Sequence, residues 1–307
     1  MKKILVATEK PFAKIAVDQI KQVIADANYE LLLLENYKTK EELISAVAQA
    51  DALIIRSDIV SKDVLEAAKN LKIVIRAGAG YDNIDLVAAS ELKICAMNTP
   101  GQNSNAVAEL AFAMMLYMAR RGFNGQDGFE IKGRTIGVHA YGYIGKAVTK
   151  IAKGFDMQVY AFDPFVKEDV LKNDGVIPLG SAIELYSKCQ YISVNIPLTN
   201  ETKNSITFDI LSRMPENAVL VNTARKEVIE ENGLIQMFEN RKDFQYLADI
   251  EPDCKNILLE KFKDRYLGTA KKMGANTAEA NINAGVAAAN QIIRFFEKGD
   301  RTFQVNK

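Results

Sequence analysis

Two glycines and one aspartate have the spacing of a dinucleotide-binding site. Gly142 and Gly145 lie in the turn between an apolar strand and a helix, and Asp163 closes the next strand. In such a turn the middle glycine lets the backbone approach a pyrophosphate, and the last glycine lets the helix pack on the strand. The helix, which begins near Tyr143 and Ile144, supplies N–H donors and partial positive charge to the phosphates.

The aspartate indicates which dinucleotide binds. Asp163 stands close to the expected distance of about 20 residues after the last glycine. Its carboxylate accepts hydrogen bonds from a ribose and repels a 2′-phosphate, which favours NAD over NADP. A glycine turn alone also occurs wherever a helix packs tightly on a strand, but the order strand, helix, strand and acid favours a cofactor site.

The turn departs from the G-x-G-x-x-G pattern at its first position. Ala140 stands where the pattern has a glycine. Alanine is tolerated there provided that the turn keeps φ negative, so we expect a negative φ at Ala140.

The composition argues against several other kinds of function. The 39 basic and 39 acidic residues balance, so charge favours neither nucleic acid nor an anionic membrane as a partner. The three cysteines have no metal-site spacing and no disulfide framework, as in a cytoplasmic protein. The single histidine, His139, lies in the strand before the glycine turn, which argues against histidine zinc sites and Ser-His-Asp triads.

These residues must be positioned by alternating strands and helices. Short apolar strands alternate with helices over the first hundred residues, and a second alternation starts at Thr135. Such alternation predicts two α/β domains with doubly wound parallel sheets of the Rossmann-like kind and a cleft between them. Two long helices, from Asn103 to Arg120 and from Ala278 to Glu297, are predicted to connect the domains.

Four segments resemble the D-2-hydroxyacid dehydrogenase family, and the likeness extends over essentially the whole chain. They are RAGAGYDNIDLVAA (Arg76 to Ala89), MNTPGQNSNAVAEL (Met97 to Leu110), NIPLTNETKNSI (Asn195 to Ile206) and LVNTARKEVIEENGL (Leu220 to Leu234). The likeness is greatest to the phosphoglycerate dehydrogenase branch, in a short form without a C-terminal regulatory domain. The resemblance implies a cytoplasmic homodimer that oxidises a phosphorylated hydroxy acid for serine synthesis.

The resemblance also implies a domain division and further cofactor contacts. A discontinuous substrate-binding domain (1–100 plus 282–307) would flank an NAD-binding Rossmann domain (101–281). Asn195, Pro197 and Thr223 would belong to the cofactor-side loops, and Asp249 would bond the nicotinamide carboxamide.

Hydride transfer between a 2-hydroxy acid and nicotinamide needs a cation for the carboxylate and a proton acceptor for the hydroxyl. Arg225 follows a predicted strand, and its planar fork suits a carboxylate. The resemblance gives it this role, whereas spacing alone leaves a solvated surface arginine equally open.

The acid–base residue departs from the family pattern. Family members carry a histidine with a glutamate partner, but the matching stretch TAKKMGANTAEAN places Lys272 at the histidine position. Either the chain is inactive or Lys272 carries the proton, which requires a pKa well below about 10.4. Neighbouring cations, for which Lys271 and Arg225 are candidates, act in that direction. Asp253 or Glu251 stands near the glutamate position, while two solvated lysines on a loop remain the alternative.

The substrate class depends on two further arginines. Arg56 and Arg76 follow predicted strands at the edge where ligands bind in parallel sheets, and such a pair suits a phosphorylated acid. The N–H groups of Ala77, Gly78 and Ala79 could hold a carboxylate as an anion nest. Surface arginines without a function are the alternative.

Three functions therefore remain open. The first is NAD-dependent oxidation of 3-phospho-D-glycerate with Lys272 as acid–base group. The second keeps the fold and the reaction but acts on glyoxylate, hydroxypyruvate or another D-2-hydroxy acid. The third is an interaction protein that binds and senses NAD(H) but has lost catalytic turnover. Ala140 and the missing histidine favour this alternative.

Overall fold

The computed structural model describes residues 1–306, and the chain divides into two compact units. Unit 1 consists of Met1–Asn103 together with Thr277–Lys307, and unit 2 is the continuous segment Ser104–Asn276. Unit 1 is therefore built from both ends of the chain.

Unit 1 contains a five-stranded sheet in which the neighbouring strands pair in parallel. Its first nine elements are β1 (Lys3–Thr8), α1 (Lys14–Asp26), β2 (Glu30–Glu35), α2 (Lys40–Val47), β3 (Ala52–Ile55), α3 (Lys62–Ala67), β4 (Ile73–Arg76), α4 (Leu86–Glu91) and β5 (Cys95–Asn98). The strand order is β2-β1-β3-β4-β5, so the winding direction reverses between β1 and β3. Ligands bind parallel sheets at such a reversal, outside the carboxyl ends of the strands.

Unit 2 contains a seven-stranded sheet that is also parallel throughout its recorded pairs. Its elements are α5 (Ser104–Ala119), β6 (Thr135–His139), α6 (Tyr143–Gly154), β7 (Gln158–Phe162), α7 (Glu168–Asn173), β8 (Ile177–Pro178), α8 (Ala182–Lys188), β9 (Tyr191–Val194), α9 (Phe208–Leu211), β10 (Val219–Asn222), α10 (Glu231–Asn240), β11 (Gln245–Ala248), α11 (Lys255–Phe262) and β12 (Tyr266–Gly268). The order β12-β11-β10-β9-β6-β7-β8 reverses between β6 and β9. The prediction of two doubly wound parallel sheets is confirmed.

The final helix, α12 (Ala278–Lys298), completes the core of unit 1. Its small side chains Ala284 and Ala288 and the larger Ile292 belong to one buried cluster with residues of β1, β3, β4 and α1. Alanines on one face let the helix approach the sheet closely, and a Cβ at Gly285 would lie 2.8 Å from the Ile20 Cδ1 of α1. Gly299 ends the helix in the left-handed conformation that glycine favours.

The bounds of the two long helices, α5 and α12, agree with the sequence predictions to within one residue at each end. Arg76 is the last residue of β4 and does not follow the strand as we expected. The two-residue strand β8 contains Pro178, which a sheet tolerates at an edge, where β8 lies. In the described residues, no helix combines the length and apolar character needed to cross a bilayer.

Candidate cofactor and catalytic site

The reversal in the sheet of unit 2 coincides with the predicted cofactor residues. The glycine turn leaves β6 at this point, and the loop that begins with Asn195 leaves the neighbouring strand β9. The Asn195 N–H donates to the His139 oxygen at 2.9 Å, which ties the two strand ends together. The fold therefore places both segments where a doubly wound sheet binds a dinucleotide.

The start of α6 offers backbone donors to an anion. Gly142 is its N-cap residue, and no side chain within residues 1–306 makes a capping hydrogen bond there. The first N–H groups of a helix lack intrahelical partners and attract phosphates. A Cβ at Gly142 would meet no atom within 4 Å, whereas one at Gly145 would overlap the Ala140 carbonyl and lie 2.8 Å from Val138 Cγ1. Gly145 is thus required by helix–strand packing, and Gly142 leaves open space above the turn.

Ala140 corrects one expectation. Its φ is +76°, in the left-handed region, whereas we expected a negative φ. The Ala140 N–H donates to the Phe162 oxygen at 2.9 Å, so the end of β7 holds the residue in this conformation. The turn therefore keeps the geometry that a glycine normally provides and bears strain at the alanine Cβ.

Asp163 is half-buried and anchors the turn as well as its own loop. One carboxylate oxygen accepts the Tyr141 N–H at 2.8 Å, and the other accepts the Phe165 N–H at 2.9 Å. The Tyr141 hydroxyl in turn donates to Asp174 at 3.1 Å. Each carboxylate oxygen keeps a lone pair, so these contacts leave room for the predicted bonds to a ribose.

The remaining predicted cofactor residues follow neighbouring strands. Tyr143 and Ile144 form the first turn of α6, and Pro197 lies exposed in the loop after β9. Thr223, directly after β10, is buried, and its hydroxyl has no hydrogen-bond partner among the described residues. A buried unpartnered hydroxyl, uncapped helix N–H groups and an open glycine turn all fit a bound dinucleotide.

A tight turn after β10 holds Arg225. The buried side chain of Asn222 accepts the Ala224 N–H at 3.0 Å and donates to the Arg225 carbonyl at 2.9 Å. Asn222 was not among the predicted site residues, although a polar residue that closes an apolar strand before a predicted site is a usable signal. This amide fixes the backbone from which the Arg225 side chain extends.

Lys272 and Arg225 lie at the same carbonyl oxygen. The Lys272 ammonium donates to the Ala224 oxygen at 3.0 Å, and an Arg225 guanidinium N–H donates to it at 3.0 Å. Both side chains are exposed, and both belong to unit 2. The predicted acid–base residue and the predicted carboxylate-binding residue are therefore neighbours.

Asp249 is fully buried beneath the segment that carries Lys272. Its carboxylate accepts the Thr269 hydroxyl at 3.0 Å, the Met273 N–H at 2.6 Å and the Gly274 N–H at 2.8 Å. The next residue, Ile250, has a φ of +134°, which β-branched residues rarely adopt. Strain of this kind occurs where the surrounding contacts fix the backbone.

The two predicted carboxylate partners have other partners. Asp253 forms an ion pair with Lys226 and is largely exposed. Glu251 pairs with Lys255 at 2.6 Å. These ion pairs engage both carboxylates with lysines other than Lys272, and the roles of Asp253 and Glu251 stay predictions.

His139 does not serve as an acid–base group in this structure. Burial lowers its pKa to about 4, against a smaller opposing effect of Asp163. Its Nδ1 lies 3.3 Å from the Tyr186 hydroxyl, and the two rings meet edge to face. The side chain is therefore a neutral part of the core.

In unit 1, Arg56 lies at the reversal between β1 and β3. Its guanidinium donates to the oxygens of Lys10 and Pro11 at 3.1 and 3.0 Å and to Asn281 Oδ1 at 2.5 Å. It also lies over the Phe12 ring, 5.0 Å from the centroid. These contacts hold the cation at the strand ends and occupy part of its donor capacity, and burial lowers its pKa.

The predicted anion nest has a different geometry. The Ala77 N–H donates to the Ile55 oxygen at 2.8 Å and the Gly78 N–H to the Arg76 oxygen at 2.9 Å, so these two groups are engaged within the backbone. Gly78 has a φ of +154°, and a Cβ there would overlap the Arg76 guanidinium. Arg76 therefore folds over the nest, and only Ala79 of the three predicted residues is exposed.

A buried carboxylate that sequence reasoning missed organises this edge. Asp58 accepts the Glu9 N–H at 2.6 Å, the Tyr37 hydroxyl at 2.9 Å and the Arg56 N–H at 3.1 Å. It ties the segments after β1 and β3 together across the reversal. Only the two partners that are distant in sequence, Glu9 and Tyr37, reveal this role.

Comparison with known proteins identifies the family. The sequence profile for the NAD-binding domain of D-isomer specific 2-hydroxyacid dehydrogenases matches residues 105–260. The crystal structure of NAD⁺-bound 3-phosphoglycerate dehydrogenase from Entamoeba histolytica is similar with a TM-score of 0.87 and 44% identity, over 100% of this chain and 99% of that one. The chain belongs to the D-isomer specific 2-hydroxyacid dehydrogenase family. The predicted cofactor, NAD, is thus confirmed.

Two curated relatives differ in the substrate that their names state. The D-3-phosphoglycerate dehydrogenase of Methanocaldococcus jannaschii is 37% identical over 83% of this chain and 51% of its own length. The hydroxypyruvate reductase of Thermotoga maritima is 32% identical over 86% of this chain and 91% of its own. The chain spans about half the length of the curated D-3-phosphoglycerate dehydrogenases that it matches.

Proposed function

We propose that the chain is an NAD-dependent dehydrogenase that oxidises 3-phospho-D-glycerate to 3-phosphohydroxypyruvate. The observation that carries the proposal is the meeting of Lys272 and Arg225 at the Ala224 oxygen. It brings a proton acceptor and a carboxylate-binding fork together in the domain that binds NAD. The similarity to phosphoglycerate dehydrogenases supports the choice of substrate.

The proposed reaction balances with these groups. Bound NAD supplies the hydride acceptor. Arg225 binds and orients the substrate carboxylate, and the neutral amine of Lys272 takes the proton from the 2-hydroxyl as the hydride leaves C2. In the reverse direction Lys272 returns this proton to the forming alkoxide.

The substrate phosphate would be bound by cations of unit 1. Arg56 and Arg76 stand at or directly after adjacent strand ends, and the Arg76 Nε donates to the Arg56 carbonyl at 3.0 Å. This contact keeps the two residues together. Guanidinium groups bind phosphate oxygens with two parallel hydrogen bonds.

An unphosphorylated substrate such as hydroxypyruvate or glyoxylate is the second candidate. It is favoured by the donors that Arg56 already directs at backbone oxygens and by the hydroxypyruvate reductase relative. A panel of 3-phosphoglycerate, glycerate, hydroxypyruvate and glyoxylate separates the two. If Arg56→Ala leaves the KM for 3-phosphoglycerate unchanged, the phosphate role is wrong.

The decisive experiment is the pH dependence of turnover with 3-phosphoglycerate and NAD. We expect Lys272→Ala to lower kcat by about 10²-fold or more and to retain NAD affinity, as for the loss of a general base. Lys261→Ala, at an exposed lysine of α11, is the matched control, and it should keep most of the activity. Full activity of Lys272→Ala would refute the acid–base role. Absence of turnover on every tested acid, with tight NADH binding, would favour a sensor.

A further inference from the structure

The segment that carries Lys272 is held at both ends by one buried carboxylate. Thr269 precedes Lys272 by three residues and donates its hydroxyl to Asp249. Met273 follows Lys272 directly, so its N–H belongs to the peptide bond between the two residues, and it donates to the same Asp249 oxygen at 2.6 Å. The lysine backbone is therefore fixed on either side.

The adjoining residue is a glycine for a steric reason. A Cβ at Gly274 would lie 2.7 Å from the second Asp249 oxygen and 3.2 Å from Val107 Cγ2. With glycine, the 274 N–H reaches this oxygen at 2.8 Å. A side chain would push the segment away from the carboxylate, and with it the backbone next to Lys272.

The carboxylate is itself firmly placed. Asp249 has no exposed surface, and its N–H donates to the Asn222 oxygen at 2.9 Å. Asn222 also holds the turn of Arg225. One continuous set of hydrogen bonds thus runs from the Arg225 turn through Asp249 to both sides of Lys272.

We propose that Asp249 is a positioning residue that sets the place of Lys272 through Thr269, Met273 and Gly274. This role rests on the proposed function, because it gives Lys272 the proton transfer. This role is additional to any contact of Asp249 with the nicotinamide carboxamide. It depends on the hydrogen bonds that the carboxylate accepts from the segment 269–274. The reacting groups must be held within a fraction of an ångström, so loosening the segment lowers kcat more than binding.

Thr269 tests the proposal without altering Asp249. We expect Thr269→Val to lower kcat on the order of 10-fold, with KM and the NADH dissociation constant within about twofold of native. Thr269→Ser keeps the hydroxyl and should restore most of the rate. Equal rates for native protein and the valine variant, or equal losses for valine and serine, would overturn the proposal.

A double-mutant cycle with Lys272→Ala shows whether the effect passes through the lysine. We expect Thr269→Val to cost little further rate in the Lys272→Ala background, because the group that it positions is gone. Full additivity of the two losses would overturn the positioning role.

Hydrogen exchange separates failure of this proposal from failure of the proposed function. The Met273 and Gly274 amides should exchange at least about 10-fold faster in Thr269→Val than in Thr269→Ser. The valine removes the hydroxyl bond to Asp249, and the segment is then held less firmly against the carboxylate that protects these amides. If Lys272→Ala is fully active but this exchange difference is present, the acid–base role fails and the Asp249 contacts remain. Unchanged exchange would overturn the proposed hold of Asp249 on the segment.

Discussion

Replacing Ala140 with glycine should stabilise unit 2. The alanine has a φ of +76° in the turn that leads into α6. A left-handed backbone costs a residue with a Cβ about 1–2 kcal/mol relative to the right-handed form. Glycine has no such cost. However, its greater conformational entropy favours the unfolded chain by about 0.5–1 kcal/mol relative to alanine. The middle values of these two ranges predict a net stabilisation of about 0.5–1 kcal/mol for Ala140→Gly.

Thermal and urea unfolding of the native chain and the variant measure this difference. A change of that size shifts the midpoint of a domain as large as unit 2 by about 1–4 °C. Ala113→Gly is the matched control, since Ala113 is exposed within the helix α5. There glycine should destabilise by about 0.5–1 kcal/mol. The reasoning is refuted if Ala140→Gly destabilises the protein as much as the control does.

Three further predictions concern the same strand and turn. Gly145→Ala should destabilise unit 2 by about 1–3 kcal/mol, because its Cβ overlaps the Ala140 carbonyl. Gly142→Ala, which meets no atom, should leave the midpoint nearly unchanged and weaken NADH binding, as unfolding curves and NADH fluorescence titrations will show. Burial lowers the pKa of His139 from its ordinary value of 6.5 to about 4 in the folded state. The neutral side chain therefore favours the folded state above pH 6.5, and this stability is lost progressively as the pH falls towards 4. The free energy of unfolding falls by about 3 kcal/mol over this pH range. The NMR signal of this single histidine should not titrate between pH 8 and 5. A titration midpoint near 6.5 would contradict a buried, neutral His139.

The fold was predictable because its signals are local. Apolar strands such as Ala52–Ile55 and Val219–Asn222 are short, buried runs separated by helical periodicity, and their positions follow from pattern alone. The role of Gly145 was predictable for the same reason, since the turn spacing dictates where the helix must approach the strand.

The site was less predictable wherever a residue depends on a distant partner. The N–H groups of Ala77 and Gly78 looked available, but the donor of Ala77 bonds Ile55 on the neighbouring strand. The sequence around Asp58 did not indicate its role, because its hydrogen-bond donors come from the segments after β1 and β2 as well as from its own loop. A sequence pattern shows residue types at intervals. It does not show which of several N–H and O–H groups donate hydrogen bonds to a given carboxylate.

The sign of φ at Ala140 is a different kind of error. The expectation of a negative φ came from the residue type, since alanine rarely adopts the left-handed region. The turn has instead kept its conformation, because the Phe162 oxygen and the Asp163 carboxylate bind the N–H groups of residues 140 and 141. Tertiary hydrogen bonds outweighed a local preference of about 1–2 kcal/mol.

The discontinuous unit 1 has a consequence for how the chain folds during synthesis. Every strand of unit 2 has been made by the time the ribosome reaches residue 276, so this unit can form its core while synthesis continues. The five strands of unit 1 precede unit 2 in the chain, yet the buried cluster that contains Ile4, Val6 and Ile54 stays incomplete until Ala284, Ala288 and Ile292 of α12 follow. Unit 1 is thus begun before unit 2 and completed after it, and the part of its sheet that α12 covers needs protection from aggregation during the interval.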